Sequence, residues 1–233
     1  MFRIFRNLRH KKTLERSKSY FLYAIGEIIL VVIGILIALY LNTRKEEFQE
    51  KQNEIVLLEK LKEENLYNID LLKDNEDYHQ KVPEMFYSLV DYLSENRLDS
   101  ITDSLAYYLN ETMKTPAYSF SQGNLNNYIV SQKNNFPEIN REVIYLKNLQ
   151  DDLNVISNKS VDLKLEDFYK FINNDIDFYT GEIYSTKTIN SVAFRNNIFL
   201  MQSVEEELAK IFGLTIGQMR KVDSLIVRTL KEN

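Results

Sequence analysis

Between Tyr20 and Leu41 the chain reads YFLYAIGEIILVVIGILIALYL, apolar but for Glu27, and beyond it apolar positions recur every three or four residues. The two patterns predict different things. At a rise of ~1.5 Å per residue the first stretch is about 33 Å long as a helix, close to the thickness of bilayer hydrocarbon. The second is the signature of amphipathic helices. After the span, Phe48, Ile55, Leu58, Ile69 and Leu72 follow a loose heptad widened by Leu57, Leu61 and Leu71. That pattern predicts a membrane-proximal helix over residues 42–82, stopped at Val82-Pro83. Lys62 and Asn65 interrupt the core positions, which favours one helix of a bundle over a two-stranded zipper.

Pro83 suits a first helical turn, followed by an apolar face of Met85, Phe86, Leu89, Val90 and Leu93. Asp99 or Ser100 is placed to cap a helix carrying Ile101, Leu105, Tyr108 and Leu109 inward. Residues 114–124 read as a loop with Pro116 and Gly123, and a short helix follows over 125–130. Pro137 opens a long segment through Ile139, Val143, Leu146, Leu149, Leu153 and Ile156. Leu163, Leu165, Phe168, Phe171 and Ile172 continue it to a stop at Gly181. A last helix runs through Val192, Phe194, Phe199, Val204, Leu208 and Ile211, is weakened or bent at Gly213 and Gly217, and ends through Val222, Leu225, Ile226 and Leu230. Only six glycines and three prolines punctuate 233 residues, too few turn formers for a strand-dense fold. The expected class is all-α: an N-terminal transmembrane helix continuing into a long helix, then an antiparallel helical bundle over 83–233. The 15 tyrosines and 13 phenylalanines are expected to fill much of its core.

Charge sets the expected orientation. Residues 1–19 hold Arg3, Arg6, Arg9, Lys11, Lys12, Arg16 and Lys18 against Glu15 alone, whereas the remainder is acidic and the whole chain is −5. Basic flanks stay on the cytoplasmic side. The expectation is a cytoplasmic tail, a single-pass span at 20–41 in the inner membrane, and an extracytoplasmic C-terminal domain. An apolar core this long, without a small-x-small site after it, favours an uncleaved anchor over a signal peptide. Phe2, Ile4, Phe5 and Leu8 alternate with arginines, so the tail is either a short interfacial helix or a purely topogenic one. An acidic outer domain argues against nucleic acid as partner. The absence of cysteine excludes disulfides and thiol chemistry.

Within the span, Tyr20, Glu27, Gly34 and Ala38 are separated by seven, seven and four residues and share a helical face. An acid inside a membrane usually faces protein, and a small-x-x-x-small pair lets a second backbone approach. The lipid bilayer is the first expected partner. A second copy of the chain, or a partner membrane protein, is the next. Two alternatives place Glu27 as the proton carrier in the small subunit of a proton-driven complex, or make the outer bundle the input of a membrane sensor.

Candidate chemistry is sparse. Glu76-Asp77-Tyr78-His79 contains a Glu-x-x-His spacing, but the only other histidine is His10, so no metal site is expected and His79 reads as a solvated surface residue. Glu63-Glu64 and Glu205-Glu206-Glu207 read as solvated faces. No phosphate loop, nucleophile elbow or dinucleotide fingerprint is present, so neither catalysis nor a cofactor is expected.

The 20–42 stretch, including Gly26, Glu27 and Gly34, resembles the single span of a family of uncharacterised bacterial membrane proteins. They combine a basic tail, this span and a helical outer region. Pro116, Ser121, Gly123 and Leu125 resemble a loop-and-glycine motif of that family. Thr43-Arg44 stand where the family has an Asn-Trp pair. The resemblance implies topology and carries no catalytic residue.

Overall fold

A computed structural model describes the backbone of residues 2–95, 103–116, 118–177, 179–180, 182 and 184–232, and side chains from Tyr20 onward with a few internal exceptions. The fold is all-α, with no β-strand among the described residues. It divides into two units, residues 1–53 and 54–233. The helices are α1 (Phe2–Lys73), α2 (Glu76–Glu95), α3 (Asp103–Met113), α4 (Gly123–Ser131), α5 (Pro137–Asp162), α6 (Tyr169–Ile172) and α7 (Val192–Glu232). A π-helical turn, Leu163–Phe168, joins α5 to α6. The caps expected at Asp99 or Ser100, the inward position of Ile101 and the stop at Gly181 lie outside the described residues. So do the side chains of residues 1–19 and of Phe171.

The first unit is helical and its described apolar side chains, from Tyr20 to Leu41, are exposed. One helix among the described residues is long and apolar enough to cross a membrane, with an 18-residue window of mean hydropathy 2.7 that is entirely unburied.

The second unit is built around the antiparallel pair of α5 and α7. Along α5 and α7, Arg228 reaches Glu138, Lys221 and Gln218 reach Glu142, Thr215 reaches the Leu149 carbonyl, and Ser160 reaches Glu205. Rising numbers on one helix meet falling numbers on the other. Bonds from Lys221, then Gln218, pull the Glu142 carboxyl down to about 2. Two apolar clusters result. The first joins the end of α1, α4, α5 and the second half of α7 around Leu58, Leu72, Tyr128, Leu153, Leu208 and Met219. The second joins α2, α3, α6 and the start of α7 around Phe86, Leu109, Phe168, Ile172, Phe194 and Met201.

Several expected details differ. The membrane-proximal helix ends at Lys73, not at Val82-Pro83. Asp74-Asn75 turns the chain, the Asn75 N–H bonding back to the Leu72 carbonyl, and Glu76 and Asp77 open α2 at the end of the helix dipole that favours acids. Pro83 therefore lies inside α2, not in its first turn. Phe48, counted in the heptad, is exposed; the buried line is Glu54, Leu58, Leu61, Asn65, Asn68 and Leu72. Asn65 thus belongs to that line, its amide donating to the Met219 carbonyl at 2.8 Å. Leu165 and Phe199, read as inward, are 49 % and 67 % exposed. Helix α7 continues through Gly213 and Gly217 without a break.

Candidate functional site

Tyr20, Glu27, Gly34 and Ala38 all fall on the helical part of α1 in the first unit, and all are exposed. Helix geometry at ~100° per residue keeps them within roughly 20° of a common line. A Cβ added at Gly34 meets nothing within 4 Å.

The second unit holds an arrangement that the sequence pattern did not reveal. On α5 the buried positions step through Leu153, Ser157 and Ser160, then on to Lys164, Phe168 and Ile172. Steps of four outrun a 3.6-residue turn, and the π turn at Leu163–Phe168 supplies the extra width. It swings Lys164 inward and Leu165 outward. Lys164 is 0 % exposed and pairs at 2.8 Å with Glu205 of α7, itself 1 % exposed.

Each proton of the Lys164 ammonium is used: Nζ donates to Glu205 Oε1, to the Tyr78 hydroxyl at 2.8 Å and to the Lys114 carbonyl at 2.8 Å. Glu205 is equally occupied. Ser160 donates to Oε1, and the Tyr78 hydroxyl lies 2.9 Å from Oε2. The ammonium also rests over the rings of Tyr78 and Phe86, at 5.5 and 5.8 Å. Burial lowers the pKa of Lys164, and the Glu205 charge opposes that shift. Burial, then Glu205, pushes the Tyr78 phenol up, so it stays protonated.

His79 adjoins this pair and is the main correction to the sequence reading: it is 7 % exposed, not solvated. Its ring lies 3.9 Å from that of Phe212, centroid to centroid, and its Nε2 bonds the Tyr118 hydroxyl. Its Nδ1 is buried with no hydrogen-bond partner. Burial first, and the Lys164 charge second, bring its pKa down to about 4, so the ring is neutral at pH 7.

The acidic clusters are corrected in the same way. Glu63 and Glu207 are exposed as expected, but Glu64 and Glu205 are buried. Glu64 receives the N–H groups of Asn124 and Leu125, both at 2.8 Å, and the Ser121 hydroxyl at 3.1 Å, so a carboxylate of α1 caps α4. Asn68 clamps Ser121 from both sides, donating to its carbonyl at 2.8 Å and accepting from its N–H at 3.0 Å. Glu54 holds the far end through Asn135 Nδ2 at 2.8 Å and the Lys133 N–H at 3.3 Å. The loop-and-glycine stretch at 115–128 is thus fastened by three residues of α1.

Chemically, the Lys164–Glu205 cluster is sealed and saturated. It ties α2, the strap 114–122, α5, the π turn and α7 together. Among the described residues no group of three or more His, Asp or Glu is placed to hold a metal ion. A signal was present in the sequence: Lys164 stands four residues before Phe168 and eight before Ile172, on their line, and a charge there has to be buried with a partner or break the stripe. Compared with protein-family models, curated proteins and solved structures, the chain matches none.

Proposed function

We propose that the chain is a membrane-anchored helical module of the structural or interaction class. Residues 1–19 lie in the cytoplasm, α1 crosses the inner membrane once, and the second unit stands on the extracytoplasmic side. The observation that carries this reading is the unburied apolar window of α1. A core helix of the same composition would bury that surface, whereas here it faces no protein. Seven basic residues before the span, against Arg44 and Lys45 just after it, support the orientation.

The face of Tyr20, Glu27, Gly34 and Ala38 then holds a second copy or a partner span. A carboxyl in lipid costs ~2.5–3.5 kcal/mol at the bilayer centre, a penalty that a protein contact relieves. The helical second unit counts against the reading as a proton-driven subunit, whose outer domain is expected to be a compact mixed α/β one. The test is crosslinking within the membrane from a position beside Glu27. Glu27→Leu with Gly34→Leu is expected to lower the yield of crosslinked oligomer or captured partner; an unchanged yield rejects the contact face. A reporter at residue 233 that is active in the cytosol rejects the topology.

A further inference from the structure

The ring of His79 sits where the two apolar clusters of the second unit meet. It packs on Phe212 of the first, while Val82 and Phe86, on the next turns of its own helix, belong to the second. Most of what closes this seam is polar and buried. A neutral imidazole with Nε2 bonded to Tyr118 leaves Nδ1 unpartnered but adds no charge to the seam. An imidazolium does not fit. It carries a charge and two N–H donors, and the buried Nδ1 has no hydrogen-bond partner to receive its proton.

The groups around the ring come from every packed element. Tyr78 is its neighbour on α2, its ring 5.0 Å away edge-on. The strap contributes Tyr118. The π turn contributes the Lys164 ammonium, whose charge repels a second cation. α7 contributes Phe212, and behind Tyr78 and Lys164 stands Glu205 of α7 with its Ser160 partner from α5. Glu205 is the one carboxylate in the cluster, and it already receives Lys164, Ser160 and the Tyr78 hydroxyl. Helix α2 is also weakest here, because Pro83 has no N–H to donate to the His79 carbonyl four residues earlier.

We propose that His79 is an acid-triggered latch: proton uptake by its buried ring parts the α2–α3 hairpin and the strap 114–122 from α5 and α7. The inference is independent of the membrane reading, since every residue it uses lies in the second unit. Its sign follows from linkage. The folded ring titrates at about 4 and an exposed ring near its ordinary 6.5. The open form therefore binds more protons between those values, and the closed form loses ground as pH falls from 6.5 toward 4. The opening constant rises by less than about tenfold per pH unit, in total roughly 40-fold between pH 6.5 and 4.5.

Hydrogen exchange of the full chain in lipid nanodiscs, corrected for intrinsic rates, tests this between pH 7 and 4.5. Amides of 76–95 and 103–122 are expected to lose protection on acidification, while those of 139–156 and 208–230 keep theirs. His79→Gln, whose amide can still donate to Tyr118, is expected to abolish the difference. A change below about threefold in the hairpin, equal loss in α5 and α7, or the same acid response in the variant each overturns the proposal. Should the variant not fold, a titration of the His79 ring by NMR in the unaltered protein decides. Protonation near 6.5 with the hairpin still protected overturns the latch, and protonation only together with hairpin opening supports it.

Discussion

Replacing Lys164 by Met keeps the length and apolar stem of the side chain and removes only its charge. Three hydrogen bonds go with it, to Glu205, Tyr78 and the Lys114 carbonyl. What remains is a carboxylate 1 % exposed to solvent, held by two hydroxyls and no cation. Removing one partner of a buried pair costs about 3–5 kcal/mol, chiefly because the other charge is stranded. At about 2–4 °C per kcal/mol for a unit of this size, the loss in melting temperature is roughly 6–20 °C. Removing Glu205 as well, as Lys164→Met with Glu205→Leu, discards the stranded charge. The Tyr78 hydroxyl can turn its one proton from Glu205 to the Lys114 carbonyl at 2.8 Å, and Ser160 can turn to its own helix. The double variant is therefore expected within about 2 kcal/mol of the unaltered protein, and more stable than Lys164→Met alone. Thermal unfolding of the full chain in nanodiscs, followed by near-ultraviolet dichroism of its tyrosines, measures all members of the cycle. If the double variant is as unstable as the sum of the two singles, the sealed-pair reasoning is wrong and each residue acts by itself.

Two further outcomes follow from the same geometry. Glu64→Ala removes the carboxylate that receives the Asn124 and Leu125 amides. It is expected to cost about 2–3 kcal/mol in urea unfolding and to raise exchange at those two amides first, whereas unchanged amide protection refutes the cap. Gly213 and Gly217 lie in the exposed interior of α7, and an added Cβ meets nothing within 4 Å at either. Replacing both by Ala is expected to stabilise the unit by about 1–2 kcal/mol; destabilisation in a denaturant melt would show that the helix needs their freedom.

Helix type and most helix positions were legible because they rest on apolar periodicity. Ile139, Val143, Leu146, Leu149 and Leu153 are all buried where their spacing puts them, and Pro137 opens α5. The same method fails where a buried position holds a polar residue. The α1 stripe alternates Leu58, Leu61 and Leu72 with Glu54, Asn65 and Asn68, so half of it looks like solvent face to a hydropathy count. Ser157, Ser160 and Lys164 hide the continuation of α5 in the same way. The partners that make their burial tolerable come from distant segments: Glu64 serves residues 121–125, and Glu205 serves Tyr78 and Lys164. No local spacing encodes such a meeting. The sequence hides the burial of His79 for the same reason: its Glu-x-x-His spacing speaks only to metal binding, and its place in the seam depends on Tyr118 and Phe212.

The widened turn at Leu163–Phe168 fixes the residue count of one short stretch. Dropping a single residue there would restore an ordinary coil of 3.6 residues and rotate everything upstream by about 100° relative to Phe168 and Ile172. Either Lys164 would point to water and leave Glu205 alone in oil, or Phe168 and Ile172 would be pulled from their buried seats. Insertions and deletions should therefore be accepted in the long connection after Ile172 and refused in the six residues before Tyr169.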